Sequence, residues 1–218
     1  FTSITPLVSR GILKFLDVSR NKLSDRSQFF SYVQLINAVS ALGSKLEVLD
    51  LSGCLWEAEG IADALAKTLC ETRTLRKFLL LKTSLAGESV LKVASALARN
   101  HSLLTFSFSW DDDDADADDE PVKKHEAQVS TAFLNALATN TALIHLAVPL
   151  VDSTNAEKCK ILLQRNASIR QNSFLAIRTL LALGKFRAKQ TLLSSMPYDV
   201  VLLIAQCLFD TRFDLCWQ

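Results

Sequence analysis

Apolar residues recur along this chain in a fixed string. Leu13-x-x-Leu16-x-Val18-x-x-Asn21-x-Leu23 is followed by Leu46-x-x-Leu49-x-Leu51-x-x-Cys54-x-Trp56 and then by Leu75-x-x-Phe78-x-Leu80-x-x-Thr83-x-Leu85. Two looser copies come next, Leu103/Phe106/Phe108 and Leu143/Leu146/Val148/Val151, and a degenerate sixth start is expected at Ile169. The starts are 33, 29, 28, 40 and 26 residues apart. Within a string the alternating pair, such as Leu16 and Val18, points to one face of a short strand while the residue between them points to the other. Between strings the spacing becomes helical, with Ala62, Leu65, Ala66 and Leu69 in one unit and Val90, Val93, Ala94 and Leu97 in the next. A leucine stands six residues before the following start at 69, 97, 137 and 163.

A strand with one apolar face and a helix with one apolar stripe cannot bury either alone. Parallel strands joined through returning helices stack side by side, so the pattern predicts an α/β solenoid with strands on a concave face and helices on the convex one. The position of Asn21, held by Cys54 and Thr83 in later units, turns the chain where each strand ends. Asn100, Asn140 and Asn166, each three residues before a start, are expected at helix exits. That makes the sequons Asn100-His-Ser and Asn166-Ala-Ser structural positions rather than glycosylation sites. With units of 28–29 residues and a full helix, the LxxLxLxxNxL string resembles the leucine-rich repeat superfamily, specifically its ribonuclease-inhibitor-like class, over roughly residues 7–170. The resemblance implies an array of about five units in residues 1–170, a helical C-terminal cap in 171–218, and a role in gripping a protein partner. Residues 4–11 run into the first repeat without a polar capping helix, from which an array truncated at its N-terminus is expected.

Composition then narrows the function. The five cysteines, at 54, 70, 159, 207 and 216, are odd in number and share no CxxC or Cys/His spacing, so they are expected as reduced thiols in a cytoplasmic protein without a metal. The formal charge of +1 hides a segregation, because Asp111–Glu120 (DDDDADADDE) holds eight of the 23 acids. The remaining 15 face 24 Lys and Arg, a surplus of nine. Eight of those cations lie between Thr154 and Ser195 against a single Glu157. The acidic run falls where the fourth unit turns from strand to helix and is expected as an exposed loop. It contains no glycine and lacks the ligand spacing of a calcium loop. No signal peptide is visible, and the longest apolar runs, 174–184 and 200–209, are too short for an integral membrane span. Residues 174–190 predict a basic-edged helix, followed by a break near Met196-Pro197 and a second helix to about Phe209.

Candidate chemistry is sparse. Three histidines and the absence of GxGxxG, P-loop, GxSxG and HExxH strings predict no enzyme and no cofactor. Binding is expected on the outward strand face, where register gives one row of Phe15, Val48, Lys77, Thr105 and His145 and a second of Asp17, Asp50, Leu79, Ser107 and Ala147. A third row holds Ser19, Ser52, Leu81, Ser109 and Pro149. Trp110 is expected in one row with Arg20 and Lys82, forming an aromatic and basic rim. The predicted partner-binding residues are therefore Phe15, Asp17, Arg20, Val48, Asp50, Lys77, Leu79, Leu81, Trp110 and His145, and the predicted partner is a protein rather than a nucleic acid. Two further resemblances are local. Met196-Pro-Tyr-Asp-Val-Val-Leu-Leu-Ile-Ala-Gln-Cys-Leu208 resembles the opening of an F-box, with Met for the leading Leu and Asp199 for the Glu. It implies a substrate adaptor that meets a ubiquitin-ligase subunit through residues 190–218. Ser19-Arg20-Asn21-Lys22-Leu23 resembles the arginine-asparagine loop of the Ran GTPase-activating protein, although here the acidic segment interrupts the repeats instead of following them.

Overall fold

Each alternating string forms a strand, and each helical stretch packs behind it. The computed structural model describes residues 3–21, 26–54, 60–85, 87–110, 120–150 and 152–186. The chain divides into two units, 1–166 and 167–218. In order the elements are α1 (Thr5–Ser9), β1 (Phe15–Asp17), α2 (Arg26–Val39), β2 (Val48–Asp50), α3 (Ile61–Glu71) and β3 (Lys77–Thr83). They continue as α4 (Gly87–Arg99), β4 (Thr105–Trp110), α5 (Glu120–Thr139), β5 (His145–Ala147) and α6 (Ser153–Phe186). The five strands form one sheet in the order β1-β2-β3-β4-β5, and every pairing is parallel. Each strand therefore neighbours its successor in sequence, as stacked strand-helix units require.

The inward residues line up across the sheet. Leu16, Leu49, Phe78, Phe106 and Leu146 stand in one register row. Leu16 and Leu146, on the two outer strands, retain 8% exposure, while Phe106 near the middle retains none. Leu65, Leu69, Val90, Val93, Leu97, Phe133 and Leu137 cover this row from the helices, all of them buried. The predicted helical spacing and the leucine six residues before each start are thus the two sides of one core. At the start of each strand a single carbonyl accepts two backbone N–H groups of the next unit: Lys14 from Glu47 and Val48, Glu47 from Arg76 and Lys77, Arg76 from Leu104 and Thr105, Leu104 from Ile144 and His145. The predicted turn position also behaves alike in three units. Asn21 donates its amide to the Val18 carbonyl (2.7 Å), the Cys54 thiol donates to the same carbonyl (3.3 Å), and the Thr83 hydroxyl donates to the Ser109 carbonyl (3.5 Å). Tyr32 seals the site by donating its hydroxyl to the Cys54 sulfur (3.3 Å), and burial pushes the thiol up from its ordinary value.

Two expectations need correction. Ile169 starts no strand, because α6 runs through it from Ser153 to Phe186. The sequence between Ser153 and Leu183 holds neither glycine nor proline, so nothing breaks the helix there. Asn166 consequently sits inside a helix rather than at its exit, and its side-chain oxygen accepts from the Arg165 guanidinium (2.8 and 3.1 Å) instead of from backbone amides. Within residues 4–11, Thr5–Ser9 form the five-residue α1, which buries Val8. The acidic run 111–119, the break near Ser194 and the F-box-like string lie outside the described residues. Among the described residues no helix is long and apolar enough to cross a membrane.

Asn100 and Asn140 close their helix exits with their side chains. The Asn100 oxygen accepts the N–H groups of Ser102 (3.0 Å) and Leu103 (2.7 Å), while its nitrogen donates to the Leu69 carbonyl of the preceding unit (2.6 Å). Asn140 repeats this with Ala142 and Leu143 (2.8 Å each), donating to the carbonyls of Leu97 (2.6 Å) and Asn100 (2.7 Å). Asn100 and Asn166 are both buried with their amide nitrogens engaged, which leaves neither sequon open to a glycan in the folded chain. Thr72 holds the same position one unit earlier, and its hydroxyl is buried without a partner among the described residues. Thr72→Asn is expected to raise stability by about 1 kcal/mol, because the amide supplies the missing bonds at nearly constant volume. A higher urea midpoint at unchanged slope is the expected result, and a lower midpoint would show that this unit has no room for the amide.

Candidate interaction face

The outward rows assemble as register predicts. Phe15, Val48, Lys77, Thr105 and His145 pair across five strands, and Asp17, Asp50, Leu79, Ser107 and Ala147 pair beside them. Phe15 is 61% exposed and Leu81 37%, large fractions for apolar side chains on a sheet. Lys77 and His145 are exposed, Val48, Asp50 and Leu79 half-buried, and Ser107 is buried between its neighbours.

Asp17 and Asp50 do lie side by side, but each is already occupied. The Asp17 carboxylate accepts the Ser19 backbone N–H (2.9 Å) and the Asp50 carboxylate accepts that of Ser52 (2.9 Å). Each carboxylate thus folds the chain at its own strand exit, a local turn that Asp favours. Hydrogen bonding from the Ser19 hydroxyl, then from its backbone N–H, holds the Asp17 carboxyl below its ordinary value, and Arg20 adds to the effect. The carboxylate is therefore ionised throughout the neutral range. Reversing these two charges would dismantle the turns as well as the surface, which makes Asp17 and Asp50 poor positions at which to probe binding alone.

Trp110 does not share the row of Arg20 and Lys82, and alternation from Phe106 and Phe108 puts it on the inward face. Leu80 pairs with Phe108 but Thr83 pairs with Trp110, so Leu81 and Lys82 together oppose Ser109 in a β-bulge. The Lys82 N–H donates to the Ser109 hydroxyl (3.0 Å) and the Leu81 N–H to the Ser52 hydroxyl (3.1 Å). The bulge shifts Trp110 out of the row of Arg20 and Lys82. Its ring is half-buried, edge-on to Phe108 at 5.0 Å, and its indole N–H donates to the Leu85 carbonyl (3.2 Å). The aromatic half of the expected rim belongs to the core, and the basic half remains at the edge. Arg20 and Lys82 are both exposed there.

The edge also holds a residue that the sequence reading passed over. Gly53 lies between Arg20 and Lys82 at the equivalent strand exit, with the Arg20 N–H donating to the Ser52 carbonyl (2.7 Å) and the Gly53 N–H to the Leu81 carbonyl (2.7 Å). The signal was present, since Arg20, Gly53 and Lys82 each immediately precede the turn position of their unit.

A number of solved structures are similar to this chain, two of which follow. "Leiomodin-1 Actin-Binding Site 2 (ABS2)" matches with a TM-score of 0.65 at 16% identity, covering 82% of this chain and 96% of its own. The tropomodulin C-terminal domain from Caenorhabditis elegans matches with a TM-score of 0.63 at 16% identity, covering 80% and 97%. No family model matches the sequence, and no curated protein matches it. At this identity the likeness shows the fold alone, and that fold is an α/β array of leucine-rich-repeat type.

Proposed function

We propose that this chain is a protein-interaction module of the ribonuclease-inhibitor-like leucine-rich-repeat class, and that its partner docks on the outward strand face. The supporting observation is the register itself, which sets Phe15, Val48, Lys77 and His145 in one row and leaves Phe15 and Leu81 unusually exposed. Side chains on hydrogen-bonded parallel strands are already ordered, so docking there forfeits little conformational entropy. A stable complex would cover on the order of 1,000 Å² or more. The role is one of binding rather than catalysis. A reducing, cytoplasmic setting belongs to the proposal, since Cys54, Cys70 and Cys159 are free thiols. The adaptor and GTPase-activator readings have no support beyond their short strings.

A photo-crosslinking amino acid placed at position 77 or 145 is expected to join the partner, whereas one at Ser95, exposed on α4, is not. Actin is the first protein to offer, because the leiomodin-1 domain of the same fold is described as an actin-binding site. Crosslinking from position 95 with none from 77 or 145 would move the interface to the helices and end the proposal.

A further inference from the structure

Three successive strand exits pass through the left-handed backbone region: Arg20 at φ 58°, Gly53 at φ 68° and Lys82 at φ 51°. Glycine adopts this conformation freely, while a residue with a side chain is strained in it. The middle unit uses glycine; the flanking units keep a cation in spite of the strain. A side chain at Gly53 would crowd its neighbour, since an added Cβ lies 3.3 Å from the Arg20 Cγ. Gly53 thus leaves room for the Arg20 stem, and its bare backbone has a guanidinium-bearing residue on one side and an ammonium-bearing one on the other, their α-carbons about 10 Å apart across two strand spacings. Both cations are exposed and neither side chain makes a hydrogen bond or a close ion pair among the described residues, while the Arg20 charge favours the nearby Asp17 carboxylate.

We propose that Arg20 and Lys82 form a two-point clamp for an acidic segment of the partner protein, with Gly53 as its floor; this rests on the interaction face described above. Carboxylates on alternate residues of an extended peptide stand about 7 Å apart, and the two long side chains cover the difference. Arg20 offers a planar fork that takes a carboxylate through two parallel bonds, and Lys82 offers a mobile point charge. A nucleic acid fits less well. Asp17 and Asp50 stand three residues before Arg20 and Gly53 in their own units, and these carboxylates repel a continuous polyphosphate while leaving room for spaced carboxylates.

The test uses the full chain and a fluorescein-labelled peptide of five Glu-Ser repeats, whose carboxylates stand on alternate residues, read by anisotropy at low and physiological salt. Binding that weakens as salt rises is expected for the unaltered chain. The double variant Arg20→Gly, Lys82→Gly is expected to bind about tenfold more weakly, while its urea midpoint stays equal or rises because the left-handed strain is relieved. Exchanging the two cations, Arg20→Lys with Lys82→Arg, is expected to preserve binding. No binding of the peptide by the unaltered chain, equal binding by the double glycine variant, or tighter binding of a single-stranded RNA of equal charge would overturn the clamp. Crosslinking from positions 77 and 145 that persists in the double glycine variant separates the two ideas, because the strand face then stands while the clamp falls.

Discussion

Replacing Asn140 with alanine is expected to cost about 3–4 kcal/mol, among the largest losses any single polar substitution in this chain produces. Its buried amide bridges two units through four bonds, accepting from Ala142 and Leu143 and donating to Leu97 and Asn100. Leu97 keeps its bond from the Asn100 N–H, but the Leu143 N–H and the Asn100 carbonyl lose a partner in a place water does not reach. Urea unfolding at constant slope measures the loss. Asn140→Asp sharpens the test, since it keeps the acceptor and turns the donor into a second oxygen facing two carbonyls. Burial and those carbonyls favour the protonated acid, so its folded pKa lies above the unfolded value. The deficit is then greatest above that folded pKa and shrinks as pH falls through it, when the acid proton can be donated to a carbonyl. A variant whose stability does not respond to acid in this way would show that the amide's donor bonds contribute little.

Phe106→Ala is expected to cost about 3–5 kcal/mol, because a fully buried ring is removed from a core that cannot collapse around the space. Phe106 lies near the centre of the inward row, with its ring 5.9 Å from that of Phe78 and 5.7 Å from that of Phe133 on α5. The loss thus unties neighbouring strands from each other and from the helix behind them. Phe106→Leu should cost less, about 1–2 kcal/mol, since much of the volume remains. Leu146→Ala, at the sheet's outer strand, should cost less than Phe106→Ala because its side chain keeps 8% exposure and fewer layers close over it. If both alanine variants lost the same amount, the interior would not be the continuous row that the register describes.

The correspondence between sequence and structure is uneven for reasons that particular residues make plain. Leu16 and Val18 face inward because alternation along a strand permits nothing else, and Val90, Val93, Ala94 and Leu97 face inward because helical spacing gathers them on one side. No unit buries these faces by itself, so stacking in sequence order follows from the repeat alone. Phe15, Lys77 and His145 were equally legible, being the residues that alternation leaves outside. Trp110 was legible as an inward residue, two positions beyond Phe108, and only its pairing with Thr83 in place of Lys82 depends on the bulge opposite Ser109. Asn166 was misplaced because a string that precedes strands elsewhere continues as helix when no following residue breaks it.

Local periodicity, then, determined the order of the strands and their two faces, since each follows from the short-range geometry of the chain. Only tertiary structure decided that Asp17 and Asp50 spend their carboxylates on strand exits, that Trp110 pairs with Thr83 across a bulge, and that Arg20 and Lys82 are held at a left-handed edge around Gly53. Those outcomes depend on which hydrogen-bond partner the neighbouring unit presents, and the spacing of apolar residues does not encode that choice.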